Sequence, residues 1–238
     1  MNRILLAVPV GLAAAALVVT ATWADDLGSL DRSADVAAIA PTVVTSTPAP
    51  SGSDRAPEVP SGPPQASVAW VDATAVKTGI EARALLAYAN ASLRMAQEQP
   101  SCRLGWTALA GIGQVETGHG QGRLDADGRS VEIHGPELDG TDGNAAISED
   151  GTWDRARGPM QFIASTWRDW AADGDGDGVA DVDDVDDAAY AAARYLCASG
   201  ADLTTPAGWT RAVHSYNHSD EYVQAVLGAA NTYAARSR

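Results

Sequence analysis

Apolar residues recur at helical spacing through most of the chain after residue 80, and this periodicity predicts a mainly α-helical domain. Proline and helix-capping residues mark several boundaries, such as Pro100 after the first segment and Ser165 before the third. Only residues 130–134 alternate apolar and polar side chains, so we expect at most a small β-hairpin. The predicted helices are residues 81–99, 104–117, 165–170, 187–198, 206–216 and 220–235.

The second predicted helix carries a carboxylate where its pattern calls for an apolar residue. Leu109, Ile112 and Glu116 share one helical face, and Glu116 lies just before Gly118 and Gly120, which end the helix. Burial and the negative end of the helix dipole both disfavour the anion. This position therefore favours a carboxyl group that stays protonated near neutral pH, as a general acid requires. On spacing alone, an exposed glutamate at a helix end, or a buried glutamate paired with an arginine, explains the pattern at least as well.

The front of the chain is predicted to lie outside the folded domain. Residues 1–24 combine a positive start, an uncharged apolar run and small residues at the end, which predicts a secretory signal peptide, with retention as an N-terminal membrane anchor as the alternative. Residues 25–67 are rich in Ala, Ser and Thr and hold seven of the chain's twelve prolines. Such a segment buries too little apolar area to fold, so we expect a disordered tether. The folded domain is expected at residues 68–238.

The chain of 238 residues has a formal net charge of −15. This excess of negative charge argues against nucleic acid as a partner, because it would repel the phosphate backbone. Eight of the 31 acidic residues lie in residues 173–187, so the net charge describes one segment more than the whole surface.

Two cysteines, Cys102 and Cys197, lie in the predicted domain. An even count in an exported protein favours a disulfide, with two buried free thiols as the alternative. Neither cysteine lies in a motif that suggests catalysis.

Residues 173–181 (DGDGDGVAD) follow the pattern of a calcium loop of the EF-hand type. Calcium prefers six to eight hard oxygen ligands, and alternating Asp and Gly deliver carboxylates from a tight turn. The alternative is a solvated acidic loop. The predicted ligands are the side chains of Asp173, Asp175 and Asp177 and the carbonyl of Val179, and Asp184 occupies the position that usually closes such a loop.

Three further motifs follow one another in an order that resembles the lytic transglycosylases. Glu116-Thr117 followed by Gly120 is similar to the Glu-Ser/Thr signature of that family, residues 158–162 (GPMQF) resemble its Gly-x-Met-Gln-Phe segment, and residues 216–222 (YNHSDEY) resemble its Tyr-Asn motif. The form is that of membrane-bound lytic transglycosylase B, which also carries a calcium loop between the second and third motifs. The resemblance covers roughly residues 78–230 and is nearest to the compact single-domain versions of actinobacteria.

The resemblance implies a lysozyme-like, mainly α fold with a small β-hairpin. It implies cleavage of the MurNAc-β-1,4-GlcNAc bond of peptidoglycan, with formation of a 1,6-anhydro end and no consumption of water. Glu116 would serve in turn as acid and base. The resemblance further implies peptidoglycan strands as the partner, structural calcium closed by Asp187 rather than Asp184, no organic cofactor and a monomer. The substrate-binding residues that it implies are Gln161, Phe162, Tyr195, Tyr216 and Asn217.

Two other functions compete with this interpretation. A hydrolytic muramidase on the same fold would need a second carboxylate, and the long segment 121–157, which is expected to form one wall of a cleft, offers Asp125, Asp127, Glu132, Glu137 and Asp139. A non-catalytic, calcium-stabilised wall-binding module is the other alternative, and the presence of Glu116 together with Gln161 and Asn217 counts against it. For Tyr195 and Phe162, core packing explains the residue as well as a place in the cleft does.

Overall fold

The computed structural model describes residues 49, 63–120, 122–141, 146–149 and 151–238. The predicted signal peptide and most of the predicted tether lie outside these residues. At the end of the tether, the backbone N–H of Ala66 donates to Asn90 Oδ1 at 2.8 Å, and the Asn90 amide donates to Gln65. The described helices are α1 (Val68–Thr78), α2 (Ala82–Glu98), α3 (Trp106–Thr117), α4 (Ala164–Trp170), α5 (Val185–Gly200), α6 (Pro206–Tyr216) and α7 (Asp220–Arg236).

The predicted helices are all present, with small shifts at their ends. The α5 helix begins two residues earlier than predicted, because the Asp184 side chain accepts the N–H of Asp186 and caps the helix there. The prediction that Ser165 caps α4 is wrong, since α4 begins at Ala164 and Ile163 holds the cap position. The α1 helix was not predicted.

The core is formed by α3 packed against α7, with α2, α5 and α6 around them. Leu109 and Ile112 of α3 are fully buried, as their shared helical face predicts. The helix that carries Glu116 therefore packs against neighbouring helices on several sides.

A disulfide joins Cys102 to Cys197, with 5.3 Å between their Cα atoms, and confirms the predicted pairing. It links the segment just before α3 to the last turns of α5. Closing a loop with a sequence separation of 95 contributes roughly 4–5 kcal/mol to stability in the chain-entropy account.

The segment between α3 and α4 carries two small antiparallel sheets among its described residues. Strand β1 (His134–Glu137) pairs with β4 (Arg155–Arg157), and β2 (Ser148–Glu149) pairs with β3 (Thr152–Trp153). The predicted alternating run contributes only an isolated bridge at Ser130 and the first residue of β1. Strand content is as low as predicted, and most of it lies later in the segment than the alternating run.

No helix of the described residues is both long enough and apolar enough to cross a membrane.

Candidate active site

Glu116 lies one residue before the end of α3, and its side chain is partly exposed. The Tyr222 hydroxyl, from the first turn of α7, donates a hydrogen bond to Glu116 Oε1 at 2.5 Å. Among the described residues, no arginine, lysine or histidine forms an ion pair with Glu116. The alternative of a buried Glu–Arg pair is therefore wrong, and a phenol takes the place of a cation.

The pKa of the Glu116 carboxyl is raised from its ordinary value of 4.5 to about 8. Burial is the dominant cause, and the hydrogen bond from Tyr222 acts against it by favouring the anion. The position near the C-terminal end of α3 disfavours the anion further, since the helix dipole is negative there. Glu116 is consequently protonated at neutral pH, the state from which a carboxyl group can donate a proton.

The end of α3 is tied directly to the second sequence motif. Gly118 ends the helix in the left-handed conformation, and the Thr117 hydroxyl donates to the carbonyl of Pro159 at 2.7 Å. The same Thr117 oxygen accepts the N–H of Gly120 at 2.8 Å. Thr117, the residue after Glu116, therefore links the end of α3 to residues 158–162.

Residues 158–162 form a tight turn that buries Gln161. A Cβ atom on Gly158 would lie 1.9 Å from the carbonyl oxygen of Val182, so only glycine fits there. Gln161 has a φ of +52°, which is uncommon for a residue with a side chain. Its amide nitrogen donates to the carbonyls of Gly158 at 2.9 Å and Ile133 at 3.4 Å. These bonds fix the amide of Gln161, and such backbone strain is typical of functional sites.

Aromatic rings connect Gln161 to α6 and α5. The Tyr216 hydroxyl donates to the carbonyl of Met160 at 2.8 Å. The rings of Phe162 and Tyr195 each lie 5.8 Å from the ring of Tyr216. The Tyr195 hydroxyl donates to the Ser215 carbonyl at 2.6 Å. The predicted residues Gln161, Phe162, Tyr195 and Tyr216 line one small cavity, together with Ile163, Thr166 and Ser215. Phe162 and Tyr195 therefore contribute both to packing and to the cavity wall.

Asn217 ends α6 directly after Tyr216, and its side chain is buried. Glu116 is close enough to Tyr216 and Tyr222 for its charge to raise the pKa of both phenols, beyond the larger effect of burial. The structure thus brings the first and third motifs together around one carboxyl group.

Tyr222 is the site residue that the sequence interpretation missed. It is the last residue of the third motif and belongs to the first turn of a predicted helix. The sequence places it near Tyr216 but gives no indication that it reaches a carboxylate 106 residues earlier in the chain.

A second polar cluster, also missed, lies behind the end of α3. His119 is buried with a φ of +63°, and its Nε2 lies 2.8 Å from the Tyr233 hydroxyl. Tyr233 donates to Gln114 Oε1 at 2.5 Å, so its oxygen accepts from the His119 Nε2–H. The His119 Nδ1, 3.2 Å from the Tyr88 hydroxyl, is then the acceptor. Burial lowers the pKa of His119 to about 4, which keeps the ring neutral.

This cluster needs the glycine at position 113. A Cβ atom there would lie 2.1 Å from the Tyr88 hydroxyl. The cluster joins α2, α3 and α7 through side chains that are otherwise costly to bury, and it stabilises the helix end next to Glu116.

The acidic loop between α4 and α5 gathers three carboxylates. Oxygen atoms of Asp173, Asp175 and Asp177 all lie within 4.8 Å of one another, and these hard oxygens suit a calcium ion. Val179, predicted to offer its carbonyl, is exposed.

Asp187 and Asp184 play different roles at the end of this loop. The Asp187 carboxylate accepts the N–H groups of Gly174 at 2.6 Å and Asp181 at 2.8 Å, whereas Asp184 caps α5. Burial raises the pKa of Asp187 to about 6; the two N–H donors lower it, and the charges of Asp184 and Asp175 add to the increase. Asp187 is therefore the carboxylate that reaches back to the loop.

The carboxylates considered for a two-carboxylate hydrolase are spread along the segment after α3. Glu137 pairs with Arg155, and Asp139 accepts from Thr141. Asp125 accepts the backbone N–H groups of Asp127 and Arg129. Within the described part of the chain, none of the five forms a hydrogen bond with Glu116, and none contributes to its raised pKa: Asp125, Asp127, Glu132, Glu137 and Asp139.

Comparison with known proteins gives a family match for part of the chain. Residues 141–210 match the model of the Transglycosylase SLT domain. The match covers Gln161, Phe162, Tyr195 and the acidic loop, and Glu116 lies before it. It supports an enzyme that acts on peptidoglycan.

None of the curated proteins compared with the chain matches it. Among solved structures, the chain is similar to the Escherichia coli lytic transglycosylase SLT35 in complex with bulgecin A. The TM-score is 0.45 and the sequence identity 16%, over 71% of this chain and 79% of that chain.

Proposed function

We propose that this protein is a peptidoglycan lytic transglycosylase that cleaves the MurNAc-β-1,4-GlcNAc bond with Glu116 as its single general acid and base. The observation that carries this proposal is the state of Glu116. Its carboxyl group is protonated at neutral pH, is held by a phenol rather than a cation, and has no second carboxylate as a described partner. The match of residues 141–210 to the Transglycosylase SLT domain supports the choice of substrate.

The reaction needs one carboxyl group used twice. Protonated Glu116 donates its proton to the glycosidic oxygen, and the bond from that oxygen to C1 of MurNAc breaks. The Glu116 anion then takes the proton of the C6 hydroxyl of the same MurNAc while O6 bonds to C1. The products are a GlcNAc end with a free hydroxyl and a 1,6-anhydro-MurNAc end, and Glu116 is protonated again. No water is consumed.

Tyr222 is suited to both halves of this cycle. Its hydroxyl donates to the carboxylate oxygen and stabilises the anion that forms after the first proton transfer. Burial makes that anion a strong base for the second transfer. We propose that Gln161 and Asn217 bind the sugars next to the scissile bond, with Tyr195, Tyr216 and Phe162 forming the wall against which the glycan lies.

The mass of the released sugars tests this proposal. Purified peptidoglycan treated with the full chain should yield muropeptides that are one water lighter than those released by a hydrolase. Products that carry this water would identify a hydrolytic muramidase instead. Binding without any released sugar would identify a wall-binding module.

We also propose that the acidic loop binds one structural calcium ion through Asp173, Asp175, Asp177, the Val179 carbonyl and Asp187. The close approach of three carboxylates supports this, because they repel one another unless a cation lies between them. The ion would supply charge neutralisation for the loop and would hold the start of α5, the helix that carries Tyr195. No organic cofactor is needed for the chemistry described above.

The place of action that fits this function is outside the cytoplasm. The Cys102–Cys197 disulfide supports export, since such bonds persist in oxidising compartments. We propose that residues 1–24 direct export, as a cleaved signal or as a membrane anchor, and that the enzyme works as a monomer.

A further inference from the structure

An open groove of about 640 Å³ lies along α6, outside the site described so far. Pro206 and Ala207 from the first turn of the helix form its apolar part. Its polar part consists of Arg211, His214 and His218, with Thr210 and Ser215 completing the lining. A volume of this size holds a short peptide or a small organic molecule.

The polar side of the groove carries nitrogen groups that donate hydrogen bonds. The Arg211 guanidinium donates to the carbonyls of Ser199 at 3.1 Å and Gly200 at 2.7 Å, and these bonds hold its charge at the edge of the groove. The rings of His214 and His218 lie 5.3 Å apart, edge to face. Every imidazole carries at least one N–H donor.

The charge of the groove is opposite to that of the chain as a whole. The net charge is −15, yet aspartate and glutamate are absent from the described residues that line this groove. A fixed guanidinium beside two imidazoles attracts carboxylates, and the apolar floor of Pro206 and Ala207 suits small alkyl groups. The favoured ligand is therefore an acidic molecule with small apolar side chains.

The groove shares one lining residue with the cavity of the proposed active site. Ser215 lines both the groove and the cavity that holds Gln161, Tyr195 and Tyr216. His218 directly follows Asn217 in the chain. A ligand in the groove and a glycan bound by Asn217 would thus contact neighbouring residues of the chain, as two covalently linked parts of one substrate require.

We propose that this groove binds the peptide arm of the substrate, an inference that rests on the proposed function. In peptidoglycan, muramic acid carries a short peptide that is rich in alanine and has free carboxylates. Arg211, His214 and His218 would bind a carboxylate of this arm, and the alanine methyl groups would lie on Pro206 and Ala207. The groove would then favour glycan strands that still carry peptides over strands that have lost them.

The test compares two substrates and two variants of the full chain. Initial rates at low substrate concentration are measured on peptide-bearing strands and on the same strands stripped of peptides by an amidase. His218→Glu places a negative charge at an exposed position of the groove. It should lower the rate on peptide-bearing strands by roughly 5- to 10-fold, less than a fully buried charge pair gives because the groove is open to water. The rate on stripped strands should not change.

Val76→Glu is the matched control. Val76 is 87% exposed on α1, so this variant adds the same charge away from the groove and should leave both rates unchanged. The free peptide released from the same peptidoglycan is the second probe. It should shift the NMR signals of His214 and His218 in the original protein.

The outcomes separate this inference from the proposed function. Equal rates of the original protein on both substrates, no effect of His218→Glu, or an equal loss on both substrates would each overturn the groove assignment while leaving transglycosylase activity in place. Cleavage of neither substrate by the original protein would overturn the proposed function, and this inference with it.

Discussion

Two acidic regions of this molecule differ in how many carboxyl groups they hold and in how those groups are surrounded. At the end of α3 a single carboxyl group, Glu116, is kept neutral by burial, against the opposing effect of the hydrogen bond from the Tyr222 phenol. In the segment 173–187, eight carboxylates are crowded into fifteen residues, and they range from exposed, as at Asp175 and Asp177, to buried, as at Asp187. The first arrangement keeps a carboxyl group protonated, and the second concentrates negative charge in a short segment. Acidic residues are thus informative about function only together with their burial and their partners.

The strongest way to break this comparison is Glu116→Gln. The amide keeps the shape and can still accept the Tyr222 hydroxyl bond, but it cannot donate and recover a proton. Activity on peptidoglycan should fall at least by the roughly 10²–10⁴-fold that is typical of general acid–base catalysis. Glu137→Gln is the matched control, since Glu137 pairs with Arg155 on the surface, and it should cost far less. An active Glu116→Gln protein would show that the site has been assigned to the wrong residue.

The same variant gives a stability prediction with a definite sign. The pKa of Glu116 in the folded protein, about 8, lies above its ordinary value of 4.5, so the folded state holds the proton more tightly than the unfolded state. The stability that this proton contributes is present at low pH and is lost as the pH rises from about 4.5 to 8. The difference in melting temperature, Glu116→Gln minus the original protein, should therefore increase as the pH rises through this range. A difference that stays constant at every pH would contradict the raised pKa.

Removal of the calcium ion proposed for the loop at 173–187 should lower the stability of the folded protein and leave the protonation of Glu116 unchanged. An ion that binds only the folded state, at a free concentration 100 times its dissociation constant, stabilises that state by about 2.7 kcal/mol. A chelator should lower the melting temperature and added calcium should restore it. Asp175→Asn should abolish this response, whereas Asp169→Asn, an exposed change on α4, should preserve it. Identical melting curves with and without chelator would rule out the calcium site.

Tyr222→Phe sharpens the account of Glu116. Loss of one hydrogen bond to the carboxylate should reduce the rate by roughly 3- to 10-fold. Because this hydrogen bond lowers the pKa of Glu116, its loss should move the pKa above 8. The fall in kcat/KM at alkaline pH should then begin at a higher pH than in the original protein. A movement to lower pH would contradict the hydrogen bond as assigned.

The smallest expected effect concerns Arg129, which pairs with Asp177 and Asp181 at the loop surface. Arg129→Gln should slightly lower the melting temperature in chelator, because a counter-charge is lost. It should also tighten calcium binding, since one competing cation is gone. Calorimetric titration of calcium into both proteins measures the change, and weaker binding by the variant would contradict this account of the loop.

The sequence predicts the helices well where periodicity and capping agree. The α6 helix has the predicted bounds, residues 206–216, with a proline in its first turn and the Thr205 side chain as its cap. The α1 helix was missed because its apolar residues do not form one stripe, as the exposure of Val68 and Val76 reflects. Ser165 has the residue type of a helix cap, but the first N–H of α4, that of Ala164, is bound by the Asp154 carboxylate at 3.0 Å, a contact with a residue ten positions earlier that the local sequence does not reveal.

The candidate site also contains features that the local sequence predicts and features that depend on tertiary contacts. The place of Glu116 on an apolar helical face at the end of a helix was predictable, because the spacing of apolar residues and the glycines that end the helix are local features. The contacts of Tyr222 and His119 were not predictable, because 106 residues separate Tyr222 from Glu116 and 114 separate His119 from Tyr233, and these pairs meet only when α3 packs on α7. Local patterns thus predict where a carboxyl group lies on its helix, and tertiary packing decides which groups surround it.

The disulfide has a consequence for the connectivity of the site. The bond between Cys102 and Cys197 closes a covalent ring that contains Glu116, Gln161 and Tyr195, while Tyr216 and Tyr222 lie on the chain that leaves it. One peptide-bond break anywhere inside that ring opens it without dividing the molecule. A protease that cuts once between β2 and β3 would thus produce a nicked protein whose two pieces stay joined under non-reducing conditions, with the only change in mass that of one added water. The bond therefore preserves the covalent connection of the site through a single backbone cut.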